Sequence, residues 1–168
     1  MATDACVRYG LEIATLSPET VTTLKSQLPP SCNFSNPVDV LGDAQHDRYQ
    51  FALSPVLKDP NVDSVLAITT PQAMTEVVET AQTFVDVAKT TQKTMAVCYM
   101  GGAEMSKGMK ILEAGDVPHY IFPGETARVL GHMVKFKHWM GRSVEEVKKF
   151  KADTKKAAQI LEKAKASG

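Results

Sequence analysis

The sequence predicts an α/β fold, a parallel sheet with helices on both faces, and three features point to it. Short apolar runs alternate with amphipathic helical stretches along most of the chain. The run at residues 62–68, with Val62, Val65, Leu66, Ala67 and Ile68, is the β-branched-rich kind that a buried parallel strand requires. It turns at Thr69, Thr70, Pro71, Gln72 and Ala73 straight into a helical pattern carrying Met74, Val77, Val78, Ala81, Phe84, Val85 and Ala88 at three- and four-residue steps.

Taken in order, residues 1–9 read as the last turns of a helix stopped by Gly10. Residues 11–16 are a candidate strand. Ser17-Pro18-Glu19 then supplies a cap, a first-turn proline and an early acid for a helix that ends before Pro29-Pro30. The proline makes residues 36–40 extended, and Gly42-Asp43 turns into a helix with Tyr49, Ala52, Leu53, Val56 and Leu57, which Pro55 is expected to kink or shorten. After the turn Asp59-Pro60-Asn61 come the run at 62–68 and its helix, for which Thr69 or Thr70 is the expected cap and Pro71 the first helical residue.

Residues 94–100 form the next strand, Gly101-Gly102 let the backbone leave it tightly, and a helix follows over residues 103–114, ended by Gly115. A short strand at 117–122 leads to a helix opened by Pro123, with Ala127, Val129, Leu130, Met133, Phe136 and Trp139 apolar. Gly141-Arg142-Ser143 marks a break. The chain therefore divides into residues 1–141 and a Lys-, Glu- and Ala-rich tail, 142–168, with a thin stripe of Val147, Phe150, Ala157, Ile160, Leu161 and Ala164. The regular alternation calls for a strand ahead of the first helix. None is present in the sequence, so the expectation is a sheet whose first strand is missing.

Composition narrows the function. Lys plus Arg and Asp plus Glu both number 19, so no charge excess favours nucleic acid or an anionic membrane surface. Cys6, Cys32 and Cys98 are odd in number and widely spaced, which fits reduced thiols in a cytoplasm and leaves no zinc pattern. GxGxxG, P-loop, GxSxG and HExxH patterns are absent. His46, His119, His132 and His138 are scattered and read as surface or packing residues, so no catalytic residue and no metal ligand is assigned. Three corners remain, at 39–44, 69–73 and 100–103, expected on one sheet edge, where backbone donors can converge on an anion. Asn36 and Asp39 border that edge, and from the residues alone capping of turns is the favoured role for them.

These corners carry a resemblance. GLEIATLSPETVTTLKSQLPP, NPVDVLGDAQHDRY, DPNVDSVLAITTPQA, AVCYMGG and VPHYIFP resemble, in order, the ligase-CoA domain of ADP-forming acyl-CoA synthetases, the relatives of succinyl-CoA synthetase. The tail is similar to the connector that leads into an ATP-grasp domain. The resemblance implies a flavodoxin-like sheet and a part in the reaction of acyl-CoA, ADP and phosphate to acid, CoA and ATP. It also implies partner domains or subunits that bind CoA, carry a phosphorylated histidine and form the ATP-grasp site, with CoA, ADP or ATP and Mg as ligands of the complete enzyme and none for this chain alone. Thr69, Thr70, Pro71, Gln72 and Ala73 match the family's phosphate-facing corner. Asn36, Asp39, Gly101 and Gly102 match its other carboxyl-edge loops. None of the four histidines matches the phosphorylated one, and Gly124 stands where the family pattern has a glutamate. The rival reading is a free-standing flavodoxin-like module that holds a nucleotide or CoA without turnover.

Overall fold

The computed structural model describes residues 1–143 and 151–167. Three parallel strands, β1 (Ser64–Thr69), β2 (Thr94–Tyr99) and β3 (His119–Tyr120), lie in the order β1-β2-β3. Seven α-helices are described: α1 (Ala2–Arg8), α2 (Pro18–Gln27), α3 (His46–Lys58), α4 (Val77–Ala88), α5 (Ser106–Ala114), α6 (Pro123–Met140) and α7 (Thr154–Ala166), with a 3-10 turn at Ala103–Met105 before α5.

β2 is the spine because both its faces are covered. Met95, Val97 and Tyr99 point into the main core with Phe84 and Val85 of α4, Leu112 of α5 and Leu53 and Leu57 of α3. Phe84 meets Tyr49 and Tyr99 edge to face, with ring centroids 5.4 and 6.4 Å away, a geometry that aromatic quadrupoles favour. The opposite face of β2 carries small residues, Ala96 and Cys98, both buried, and α6 packs on that side with Thr126, Ala127 and Leu130. Burial pushes the Cys98 thiol up to about 11, so it is a packing residue.

β1 pairs with β2 from Ser64↔Thr94 to Thr69↔Tyr99. Its other edge has no ladder partner among the described residues. Val65, Ala67 and Thr69 face the core, whereas Ile68, on the other face, is 37% exposed. The expectation of a strand buried on both faces is thus met on one face only.

Residues 11–16 form no strand. Their carbonyls are taken by side chains: Asn36 Nδ2 donates to Ala14 O at 2.9 Å and Asn61 Nδ2 to Thr15 O at 3.0 Å. A backbone held this way is satisfied without a ladder. Pro55 does not interrupt α3, which continues to Lys58. The carbonyl that loses its donor belongs to Phe51, an exposed residue, so water can replace the missing N–H. The strand expected over 117–122 shrinks to His119–Tyr120, paired with Val97 and Cys98.

Local capping follows the sequence closely. Ser17 Oγ accepts from Thr20 N at 3.2 Å with Pro18 in the first turn, α6 opens at Pro123, and Gly10 sits at φ 81 after α1. The presence of Gly124 does not change where α6 begins. In α6, Ala127 and Leu130 are buried, but Met133, Phe136 and Trp139 are exposed. Every residue of α7 is exposed, so Ala157, Ile160, Leu161 and Ala164 pack on nothing among the described residues. Val147 and Phe150 lie outside the described residues.

Asp59 ties the α2 cap to the turn before β1. It is buried, and its carboxylate accepts from Ser17 N at 2.8 Å and Asn61 N at 2.9 Å. Burial pushes its carboxyl up, but hydrogen bonds from the Thr20 hydroxyl and from the Asn61 and Ser17 N–H groups outweigh that and bring it to about 2. Because this lies below the ordinary 3.8, the stabilisation is present above about pH 4 and is lost as pH falls towards 2. An Asp59→Ala chain is expected to lose about 2–4 kcal/mol in urea unfolding at pH 7, since the Ser17 and Asn61 N–H groups lose a charged acceptor. An Asp59→Asn chain should show a flatter fall in stability between pH 4 and 2 than the wild type. A parallel fall would contradict the assignment.

Candidate functional site at the carboxyl edge

β1 and β2 end side by side, and their corners touch. Met100 N donates to Thr69 O at 2.9 Å. Gly101 sits at φ 138, and a Cβ there would lie 3.2 Å from the ring of Pro71. The structure therefore brings the corner at 69–73 together with Gly101, which must be glycine both for its backbone angle and for this approach.

The corner differs from the expected strand-to-helix step. α4 begins at Val77, not at Pro71, and neither Thr69 nor Thr70 caps it. Gln72 N donates to Thr75 Oγ1 at 2.8 Å and Thr75 N donates to Gln72 O at 3.0 Å, so a side-chain-closed turn stands between strand and helix. Met74 lies in that turn and is 51% exposed, not part of the buried stripe. Thr70, Gln72 and Ala73 are exposed and Pro71 is half-buried. Thr69 is buried, and its Oγ1 has no hydrogen-bond partner among the described residues. The Tyr99 hydroxyl donates to the carbonyl of Val77, fixing the first residue of α4 over the end of β2. Burial raises the Tyr99 phenol well above its usual range, so it stays a neutral donor.

Glu76 is the N-cap of α4, yet its side chain makes no capping bond. The first-turn N–H groups, from Val77 to Glu79, therefore face outward at the positive end of the helix. The carboxylate instead meets His46, the first residue of α3, with Nδ1 and Oε2 2.6 Å apart. His46 is held protonated to a higher pH than usual, chiefly by this hydrogen bond. The pair joins residues 30 apart in sequence, a contact that the reading of His46 as a surface or packing residue does not specify.

The other edge loops are closed by the protein's own acids. Gly102 N donates to Glu104 Oε1 at 3.1 Å, and hydrogen bonds from its own backbone N–H and that of Gly102 lower the Glu104 carboxyl. Leu41 N donates to Asp39 Oδ1 at 2.8 Å, so Asp39 caps its turn, and Arg48 binds Asp43 at 2.6 Å. The loop at 39–44 follows only an isolated bridge, Asn33↔Asp39, and is not a strand-to-helix corner. Asn36 turns its amide to Ala14 O. Among the described residues no cluster of three or more His, Cys, Asp or Glu side chains could hold a metal ion, and no helix is long and apolar enough to cross a membrane.

A parallel sheet with open N–H groups at its carboxyl edge narrows the fold, and a family model decides the relationship: the ligase-CoA domain model matches residues 1–146. The chain belongs to the ligase-CoA domain family. The ADP-forming acetate-CoA ligase I of Archaeoglobus fulgidus is 33% identical over 169 residues, covering 100% of this chain and 24% of that protein. The ADP-forming 4-hydroxybutyrate-CoA ligase of Nitrosopumilus maritimus is 32% identical, covering 98% of this chain and 24% of its own length. The chain thus spans about a quarter of these relatives. A crystal structure of a Pyrococcus horikoshii protein superposes with a TM-score of 0.78 at 29% identity, over 84% of this chain and 33% of that one. The dinucleotide-forming acetyl-coenzyme A synthetase 1 of Candidatus Korarchaeum cryptofilum shares the fold, with a TM-score of 0.75 at 24% identity over 82% of this chain and 30% of that one. The flavodoxin-like α/β expectation therefore stands for this ligase-CoA domain.

Proposed function

We propose that this ligase-CoA domain works as one part of an ADP-forming acyl-CoA synthetase. Together with further domains or subunits it converts acyl-CoA, ADP and phosphate to acid, CoA and ATP through a phosphohistidine carried elsewhere. The observation that carries the reading is the 33% identity along the full length of the chain to a ligase of which it spans 24%. The part assigned to this domain is electrostatic. The edge formed by Thr69, Thr70, Pro71, Gln72 and Ala73 with Gly101 and Gly102 lies against the phosphohistidine, and the N–H groups opening α4 offset the charge of its phosphoryl group. CoA, the nucleotide and Mg belong to the partner domains.

Two measurements test this. The purified chain alone, free of host ligase, is expected to make no ATP from acetyl-CoA, ADP and phosphate. A hybrid in which the chain replaces the matching segment of the Archaeoglobus acetate-CoA ligase is expected to make it. Turnover by the isolated chain, or a folded hybrid without activity, would sink the proposal.

A further inference from the structure

We propose that a second copy of this chain covers its exposed C-terminal helices, the basic and apolar arm of each copy seating on the acidic carboxyl edge of the other. This pairing needs no phosphohistidine and goes beyond the proposed function. The even charge of the whole chain hides a split: residues 1–127 hold 8 Lys and Arg against 15 Asp and Glu, whereas residues 128–168 hold 11 against 4. The arm is cationic and the body anionic. The last six residues of α6 are all exposed, and there Phe136 and Trp139 stack with centroids 5.7 Å apart while remaining 56% and 61% exposed. Met133 and Met140 extend the patch, and Lys135 and Lys137 stand beside it. On α7, Ile160 and Leu161 are exposed among Lys155, Lys156, Lys163 and Lys165. Apolar surface of this extent marks an interface.

The carboxyl edge is complementary in both respects. The segments that leave the three strands, 68–79, 100–106 and 121–126, expose Met74, Val78, Ile121 and Phe122, carry four glutamates and contain no Lys or Arg. One of the four, Glu76, is taken by His46, which leaves Glu79, Glu104 and Glu125. Two arms repel each other, so arm-to-arm packing is disfavoured and arm-to-edge packing is attractive. α6 starts at the edge and runs 18 residues, about 27 Å, to the exposed aromatic pair. The two surfaces thus sit at opposite ends of one helix, and antiparallel copies place each arm on the other's edge, a two-fold contact that closes. Six large side chains on the arm, each about half or more exposed, offer on the order of 100 Å² apiece. Because every copy gives both an arm and an edge, the area buried per copy reaches the ~800 Å² typical of a stable pair.

The test is sedimentation equilibrium of the full chain over a concentration series at low and high salt. Fluorescence of Trp139, the one tryptophan of the sequence, gives a parallel readout. Wild type is expected to form a dimer that weakens as salt rises, with Trp139 emission moving to shorter wavelength as the dimer forms. An arm variant, Lys163→Glu with Lys165→Glu, and an edge variant, Glu79→Lys with Glu125→Lys, change exposed residues only and should fold as wild type does by circular dichroism. Each alone is expected to dimerise about tenfold more weakly, the scale of several exposed ion pairs. Mixed together, the two variants should regain wild-type affinity, because in the mixed pair every arm again meets an edge of opposite charge. A chain that stays monomeric across the series would overturn the pairing, and binding of that monomer to phosphatidylserine vesicles would assign the arm to a lipid surface instead. A dimer that neither variant weakens, or that mixing does not restore, would overturn the seating of arm on edge. All of these outcomes leave the phosphohistidine reading to its own test in the hybrid ligase.

Discussion

Replacing Phe84 with alanine is expected to cost about 3–5 kcal/mol, the largest single loss in this core. Phe84 is fully buried on α4 and is the ring on which Tyr49 of α3 and Tyr99 of β2 both pack edge to face. Truncation removes its transfer free energy and both aromatic contacts, and it leaves a cavity between elements that are fixed by their own ladders and caps. At roughly 2–4 °C per kcal/mol for a chain of this size, the thermal midpoint should fall by about 10 °C in circular dichroism melts. Phe84→Leu, which fills much of the volume, should recover more than half of the loss. A fall of only a degree or two in the alanine variant would mean that α4 is not the element on which the core closes. Truncation of Phe84 would also weaken the edge, because the Tyr99 hydroxyl that holds Val77 belongs to the same cluster.

The second large effect concerns chemistry. Ala73→Asp, introduced in the hybrid acetate-CoA ligase, is expected to slow ATP formation about a hundredfold, the usual scale for disturbing electrostatic stabilisation at a reacting group. Ala73 is exposed in the turn ahead of α4, so the new carboxylate costs the fold little and sets a like charge where the phosphoryl group is proposed to come. Thr22→Asp, on the exposed face of α2, is the control and should leave the rate unchanged.

What the sequence made legible follows the range of the interactions. Ser17 with Pro18, Gly10 and Pro123 set helix ends through contacts within four residues, and all three are where the pattern puts them. β1 and β2 were readable because their apolar runs are long enough for both faces. Residues 11–16 carry a similar apolar pattern but form no ladder, because a ladder is a property of two segments and not of one. The start of α4 was misread because Thr75, four residues after Pro71, takes the Gln72 N–H and delays the helix. At the edge, the corner and Gly101 were found from turn chemistry, whereas the His46–Glu76 pair, 30 residues apart, leaves no local signal. The unpartnered Thr69 hydroxyl is likewise invisible before the strand is packed.

The central claim is that the corner at 69–73 faces the phosphohistidine. Its most direct test is the rate at which the acid-labile phosphoenzyme forms from labelled ATP in rapid-quench experiments, comparing the hybrid ligase with its Ala73→Asp form. The account predicts a phosphoenzyme that forms about a hundredfold more slowly in the variant, with unchanged folding and nucleotide binding. Equal rates of phosphoenzyme formation in the two would contradict it.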